Sequence, residues 1–248
     1  MTDASGSPRL HVIKAVEDGW NAFTRSPWPF VFFALLTGVL WVVFQLIGHL
    51  ATATSSDTVG PGVIVGTLVS LVGSTLVSLW CVNGLIRGAW NALDGEKPSF
   101  GDLARWDGGA AGRLFVTQLV LALIFGIILV IAMVIAGGLA QVHQALAAIP
   151  VISAIVVFLY LAINQTFLPW IAVLQSGNPF DTVQKGRAGV DPSWWWVVLL
   201  LIVESLILMI GLLLCGVGLL AASPVVFCIS TAAYRQLFGN EDTTGFVS

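Results

Sequence analysis

Residues 113–138 read RLFVTQLVLALIFGIILVIAMVIAGG, an arginine followed by a run whose only strongly polar side chains are Thr117 and Gln118. A helix at the surface of a soluble protein keeps a polar face, and this run offers none in any register. About 20 apolar residues are what an α-helix needs to cross roughly 30 Å of hydrocarbon. The stretch is therefore predicted to be a transmembrane helix. Five further runs of the same kind flank it: Pro29–Leu50, Gly62–Ile86, Ile149–Leu174, Trp194–Leu214 and Val217–Gln236. The last two are separated only by Cys215 and Gly216, inside the glycine-rich stretch Gly211–Gly218. A single helix from 194 to 236 would reach about 65 Å, twice the hydrocarbon thickness, so a tight helical hairpin is expected there. The fold class that follows is all-α, a polytopic transmembrane helical bundle of six spans.

Composition agrees. Of 248 residues, 57% are hydrophobic and 9% charged, against about 25% charged in a soluble domain, and mean hydropathy is +0.95. No segment is polar enough for a soluble catalytic domain. The net charge is −3, and no Lys/Arg cluster forms the dense basic stripe that phosphate backbones require, which excludes nucleic acid as a partner. Cys81, Cys215 and Cys228 all lie in apolar runs without paired spacing and read as small hydrophobes. Residues 1–28 lack an apolar signal core, so the first span is expected to act as an uncleaved targeting signal.

Orientation follows from the ten basic residues. Arg9, Lys14 and Arg25 precede the first span; Arg87, Lys97, Arg105 and Arg113 lie between the second and third. Lys185 and Arg187 follow the fourth, and Arg235 closes the sixth. The alternate loops, Ala51–Pro61, Gly138–Ala148 and Cys215–Gly216, contain none. Positive residues stay inside, so both termini are expected in the cytoplasm. Trp20, Trp28, Trp90, Trp106, Trp170 and Trp194–Trp196 fall on the same side and read as an interfacial belt. A bacterial inner membrane is the expected location, and a thylakoid or other internal membrane obeys the same charge rule.

A threefold pattern runs through the chain. Leu10, Ile13, Val16, Trp20 and Phe23 recur at helical spacing before the first span; Phe100, Leu103 and Trp106 precede the third; Phe180 and Val183 precede the fifth. The separations Val16 to Trp28, Leu103 to Phe115 and Val183 to Trp195 are equal, as are Asn83 to Pro98 and Asn164 to Pro179. Each copy is expected to be a cytoplasmic interfacial helix followed by two spans. The domain reading is a disordered N-terminus over 1–8, one integral membrane domain over 9–239 built from units 9–93, 99–175 and 180–239, and a tail over 240–248. Each unit crosses twice, so the repeats are parallel, unlike the inverted repeats of many secondary transporters.

Polar residues inside the spans are few. Glu204 sits ten residues in from Trp194. An ionised carboxylate there costs several kcal/mol unless it is protonated, paired or facing water. Tyr160 and Asn164, one turn apart at similar depth on the fourth span, are its candidate partners, with Gln165 nearby. Such a constellation serves either as a proton relay or cation site, or as a hydrogen-bonded joint between helices. Gly62, Gly66, Ser70, Ser74 and Ser78 recur every four residues and read as a helix-packing stripe, within one chain or between two copies. His49 and His143 lie near the outer face, with Asp57 in the first outer loop, and lack a convincing ligand set; no metal or cofactor is expected. No nucleophile elbow, phosphate-binding loop or metalloprotease motif occurs.

Several motifs carry a likeness. They are Ser176–Gly177–Asn178–Pro179–Phe180, the glycine hairpin Gly211–Gly218, Pro224, and the closing Ala233–Tyr234–Arg235–Gln236–Leu237–Phe238–Gly239. The earlier Lys97–Pro98–Ser99–Phe100–Gly101–Asp102–Leu103 adds to them. In these the chain resembles a widespread group of uncharacterised bacterial integral membrane proteins, and is similar to the membrane region fused to some glycerophosphodiester phosphodiesterases. The resemblance implies a multi-span bacterial membrane protein; no phosphodiesterase activity is carried over, since no such domain follows Gly239. The functional expectation is a non-enzymatic membrane protein that organises lipid or partner proteins at its cytoplasmic face. The expected partners are membrane lipids and a second copy or another membrane protein. The alternative is a small transporter or channel using Glu204; an intramembrane enzyme acting on lipid would need a polar constellation that the sequence does not assemble.

Overall fold

The computed structural model describes residues 10–53, 60–141, 143–214 and 216–247. Arg9 of the basic set, Asp57 of the first outer loop, Cys215 of the hairpin turn and the N-terminal segment 1–8 lie outside the described residues. Within them every regular element is helical. The α-helices are α1 (Val12–Arg25), α2 (Pro27–Ala53), α3 (Pro61–Leu93), α4 (Phe100–Ala104), α5 (Gly108–Ala140), α6 (Ala148–Asn164), α7 (Leu168–Leu174), α8 (Pro179–Val190), α9 (Trp194–Leu213) and α10 (Leu219–Phe238). Two 3₁₀ turns cover Gln144–Ala147 and Asp191–Ser193. Five helical stretches are long and apolar enough to cross a membrane: Pro27–Ala53, Pro61–Leu93, Gly108–Ala140, Gln144–Asn164 and Pro179–Leu213.

Proline sets several starts. Pro61 and Pro179 open α3 and α8 in the first turn, where a missing N–H leaves no bond unmade. The same rule corrects the fourth span, expected as one run over Ile149–Leu174. Pro169 cannot continue a helix through Gln165, so α6 ends at Asn164, a turn intervenes, and α7 restarts with Pro169 in its first turn. Leu168 and Trp170 through Leu174 are buried.

The chain divides into two compact units. The first holds 112–201 with 234–245. In it α5 and α6 pair through Phe125 and Phe158, stacked at 4.8 Å. Phe167 meets Trp170, Tyr234 and Phe238 at centroid distances of 6.1, 6.5 and 6.0 Å, an aromatic core behind α7. The residues from 240 on fold back: Thr243 N–H donates to the Leu174 carbonyl at 2.9 Å, and the Thr244 hydroxyl to Val173 at 2.8 Å.

The second unit holds 13–111 with 202–233. Here α2 and α3 run antiparallel, and the inner third of α3 is covered by Phe30, Phe33 and α4, whose Leu103 is fully buried. Phe33 stands edge-on to Trp80 at 5.2 Å. Ser99 and Asp102 form a reciprocal capping box that starts α4. Helix α1 buries Ala15, Gly19, Ala22 and Phe23; a Cβ on Gly19 would strike the Ile229 backbone, so this face is built for close approach. Ile13 and Trp20, expected on the buried stripe, are 78% and 55% exposed. Two tryptophans expected in the interfacial belt, Trp90 and Trp170, are buried instead, while Trp20, Trp28, Trp106, Trp195 and Trp196 are exposed.

Candidate functional site

Glu204 lies in α9, and its side chain is almost fully buried. The hydroxyl of Ser230, on α10, donates to its Oε1 at 2.6 Å. The two helices approach closely where both carry glycine: a Cβ on Gly211 would stand 2.8 Å from Ala222 Cβ and 3.1 Å from the Gly218 backbone. The acid is thus bonded within its own hairpin, across a seam kept tight by small residues. In hydrocarbon that bond replaces the water a carboxyl would otherwise need.

The other two residues expected beside Glu204 turn to a different carboxylate. Tyr160 Oη donates to Asp191 Oδ1 at 2.7 Å, and Asn164 Nδ2 donates to the same oxygen at 3.1 Å. Arg187 Nε reaches Asp191 Oδ2 at 3.3 Å, one helical turn earlier, and its guanidinium lies 6.0 Å over the Tyr160 ring. Trp194 stacks against Tyr160 at 6.4 Å. Asn164 is fully buried, and its Oδ1, like Trp194 Nε1, has no hydrogen-bond partner. Gln165 belongs to the same corner, donating from Nε2 to the Val183 carbonyl at 3.0 Å. Asp191, Arg187 and Trp194 are the members that sequence reasoning did not assign to a site. Equal helical spacing linked Tyr160 to Asn164, but nothing local links either to a carboxylate 27 or more residues away.

The small-residue stripe is split by geometry. Four-residue spacing overshoots a 3.6-residue turn, so each step drifts by about 40° around the helix. Gly66 and Ser70 face α2, against Ala51 and Gly48 respectively. Gly73 then takes over, against the Phe44 ring. Gly62 has open space at its Cβ, and Ser74 and Ser78 bond back to the carbonyls of Leu71 and Ser74. Ser78 lines a separate apolar cavity of about 360 Å³ with Thr37, Gly38, Trp41, Cys81 and Phe227.

Several basic residues read only as topology markers have a second role. Arg25 donates to the Ala92 carbonyl at 2.7 Å, in the last turn of α3. Arg113 donates to Ala172 and Val173 at 3.3 and 3.0 Å, in the last turn of α7. Such cations satisfy the carbonyls a helix leaves open and oppose its dipole. Arg87 is buried, donates to the carbonyls of Arg105 at 2.8 Å and Phe246 at 3.3 Å, and lies 4.1 Å over the Phe246 ring.

His49 lines a polar cavity with Gln45, Thr52, Thr67 and Ser70, whereas His143 accepts a backbone N–H from Ala145 at 3.2 Å. Among the described residues no three His, Cys, Asp or Glu side chains are grouped to hold a metal. Searches against family models, curated proteins and solved structures return no match to this chain.

Proposed function

We propose that this chain is a non-enzymatic integral membrane protein that organises lipid or partner proteins at its cytoplasmic face. One observation carries the reading: the single carboxyl deep in a span is bonded to Ser230 at 2.6 Å inside a glycine-tight hairpin. A transport pathway would need that group reachable by water; a scaffold needs it to join helices. The test is proton flux in proteoliposomes. Wild type and Glu204→Gln should leak protons at the same low rate as empty vesicles. A flux that the protein adds and Glu204→Gln removes would overturn the reading in favour of a transporter or channel.

The topology belongs to the same proposal: six spans, in three parallel repeats, with both termini cytoplasmic in a bacterial inner membrane. In its favour, α10 has 20 residues, about 30 Å of helix, and Gly216 takes φ +76°, a conformation that reverses a chain easily. The order of a shorter helix before two long ones recurs at α1, α4 and α8. Exposed Ile13, Trp20, Phe100 and Phe180 give those shorter helices an apolar side for the interface. Cysteines substituted at Lys97 and Arg187 should resist an impermeant maleimide in intact cells, while one at His143 should react; the reverse labelling sinks the orientation.

A further inference from the structure

The cluster around Asp191 has the donors and acceptors of a zwitterion's complement. Arg187 and Asp191 form an ion pair with side chains 61% and 38% exposed, presenting adjacent positive and negative groups. The Nε contact uses one of the five N–H donors of the guanidinium, and Asp191 together with the Tyr160 ring fixes its plane. Two more groups stand unmatched beside the pair: a donor, Trp194 Nε1, and an acceptor, Asn164 Oδ1 on a fully buried side chain. An unpaired buried polar group is expensive, so both call for a partner. Trp195, edge-on to Trp194 at 4.7 Å and 77% exposed, adds the amphipathic ring that favours a membrane interface.

We propose that this cluster is a headgroup site for an ethanolamine phospholipid, a specific form of the lipid-organising reading on which it rests. The phosphate sits against Arg187 and Trp194 Nε1, and the ammonium against Asp191 and Asn164 Oδ1. Each charge of the headgroup then meets its opposite, and each unmatched atom gains a bond. A choline headgroup fails at the second point, because its methyls cannot donate hydrogen bonds to Asp191 or Asn164. A headgroup with phosphate alone leaves Asp191 facing an anion.

The test is native mass spectrometry of the full chain in detergent with phosphatidylethanolamine, phosphatidylcholine and phosphatidylglycerol of identical acyl chains at equal mole fractions. The ethanolamine lipid should be retained roughly fivefold over the choline lipid, the worth of one charge-assisted hydrogen bond. Asp191→Asn should erase that preference and raise glycerol-lipid retention. Arg187→Gln should lower retention of all three, and Lys185→Gln, on the opposite side of α8, should change nothing; circular dichroism on each variant reports whether it has folded. Equal retention of ethanolamine and choline lipids by wild type overturns the site, as does a wild-type preference for the glycerol lipid, or a preference that survives Asp191→Asn in folded protein. Those failures leave the scaffold reading intact, which only Glu204-dependent proton flux removes.

Discussion

The two ends of α3 carry side chains of the same apolar kind in opposite surroundings. Near its start, Ile64, Val65, Leu68, Leu71 and Val72 are all more than half exposed. Near its end, Leu85, Ile86, Ala89, Trp90 and Ala92 are buried, together with the polar Asn83 and Arg87. The helix has 33 residues, about 50 Å, and so outruns the hydrocarbon by some 20 Å. Where lipid surrounds it, an exposed leucine loses nothing, since acyl chains are as apolar as its neighbours would be. Where water would surround it, α2 and α4 cover it, and polar groups must find partners within the protein. Burial therefore marks the part of this chain that folds like a soluble domain. Exposure marks the part that is membrane.

The comparison breaks most visibly at Arg87. Arg87→Met keeps the aliphatic stem but strands the carbonyls of Arg105 and Phe246 and removes the cation under the Phe246 ring. The expected loss is about 3 kcal/mol in a denaturant titration of the detergent-solubilised protein. Leu68→Ala, on the exposed stretch of the same helix, should fall within about 0.5 kcal/mol of wild type. Equal losses would mean that the two ends of α3 are not in different surroundings.

Glycines on α3 sharpen the contrast. A Cβ on Gly84 would collide with the Leu103 carbonyl and the Phe33 ring, whereas one on Gly62 meets nothing within 4 Å. Gly84→Ala should cost about 1–3 kcal/mol by overpacking. Gly62→Ala should leave stability unchanged or raise it by up to about 1 kcal/mol through helix propensity. Thermal unfolding monitored by circular dichroism separates the two. A similar loss at both positions would restore Gly62 to the packing stripe.

What was legible in the sequence tracks the same division. The apolar runs over α2, α3, α5, α6 and α9 were readable because crossing length is a one-dimensional property of the chain. The packed cytoplasmic region was not, because its contacts join residues far apart. Arg25 and Ala92 are 67 positions apart, Arg87 and Phe246 159. Asp191 drew no notice at the start of a tryptophan run, yet four side chains converge on it or on its partner ring. Glu204 was conspicuous for lying in hydrocarbon-length sequence, but its partner Ser230 was one hydroxyl among several on α10. The four-residue stripe misled for a simple reason: a regular spacing in sequence is a drifting one on a helix.

A joint inside the apolar region should matter less than one in the covered region. Ser230→Ala removes the hydroxyl from Glu204 while keeping nearly all of its volume, and the expected loss is about 0.6–1 kcal/mol, the range for hydrogen bonds between membrane helices. The denaturant titration used for Arg87→Met measures it on the same scale. A loss as large as that of Arg87→Met would make Glu204 and Ser230 the principal fastening of α9 to α10, and would place a decisive polar contact in the lipid-embedded part.

The smallest effect belongs to the exposed cap of α4, where water competes for every bond. Asp102 accepts from the Ser99 backbone N–H and hydroxyl at 2.8 and 2.7 Å, and these two bonds hold its carboxyl below the ordinary value of 3.8. A carboxyl lowered in the folded state stabilises it above the unfolded value, and that contribution disappears as pH falls through the folded one. Between pH 7 and 5, wild type and Asp102→Asn should therefore differ by a constant small amount in thermal midpoint. Below pH 3.8 the gap should close, because protonation removes the charge that the substitution also removes. A gap that persists at pH 2.5 would show that α4 depends on the shape of the capping box and not on its charge. Water-side caps would then behave as the buried Arg87 contacts do, and the line between covered and open parts of the cytoplasmic region would need redrawing.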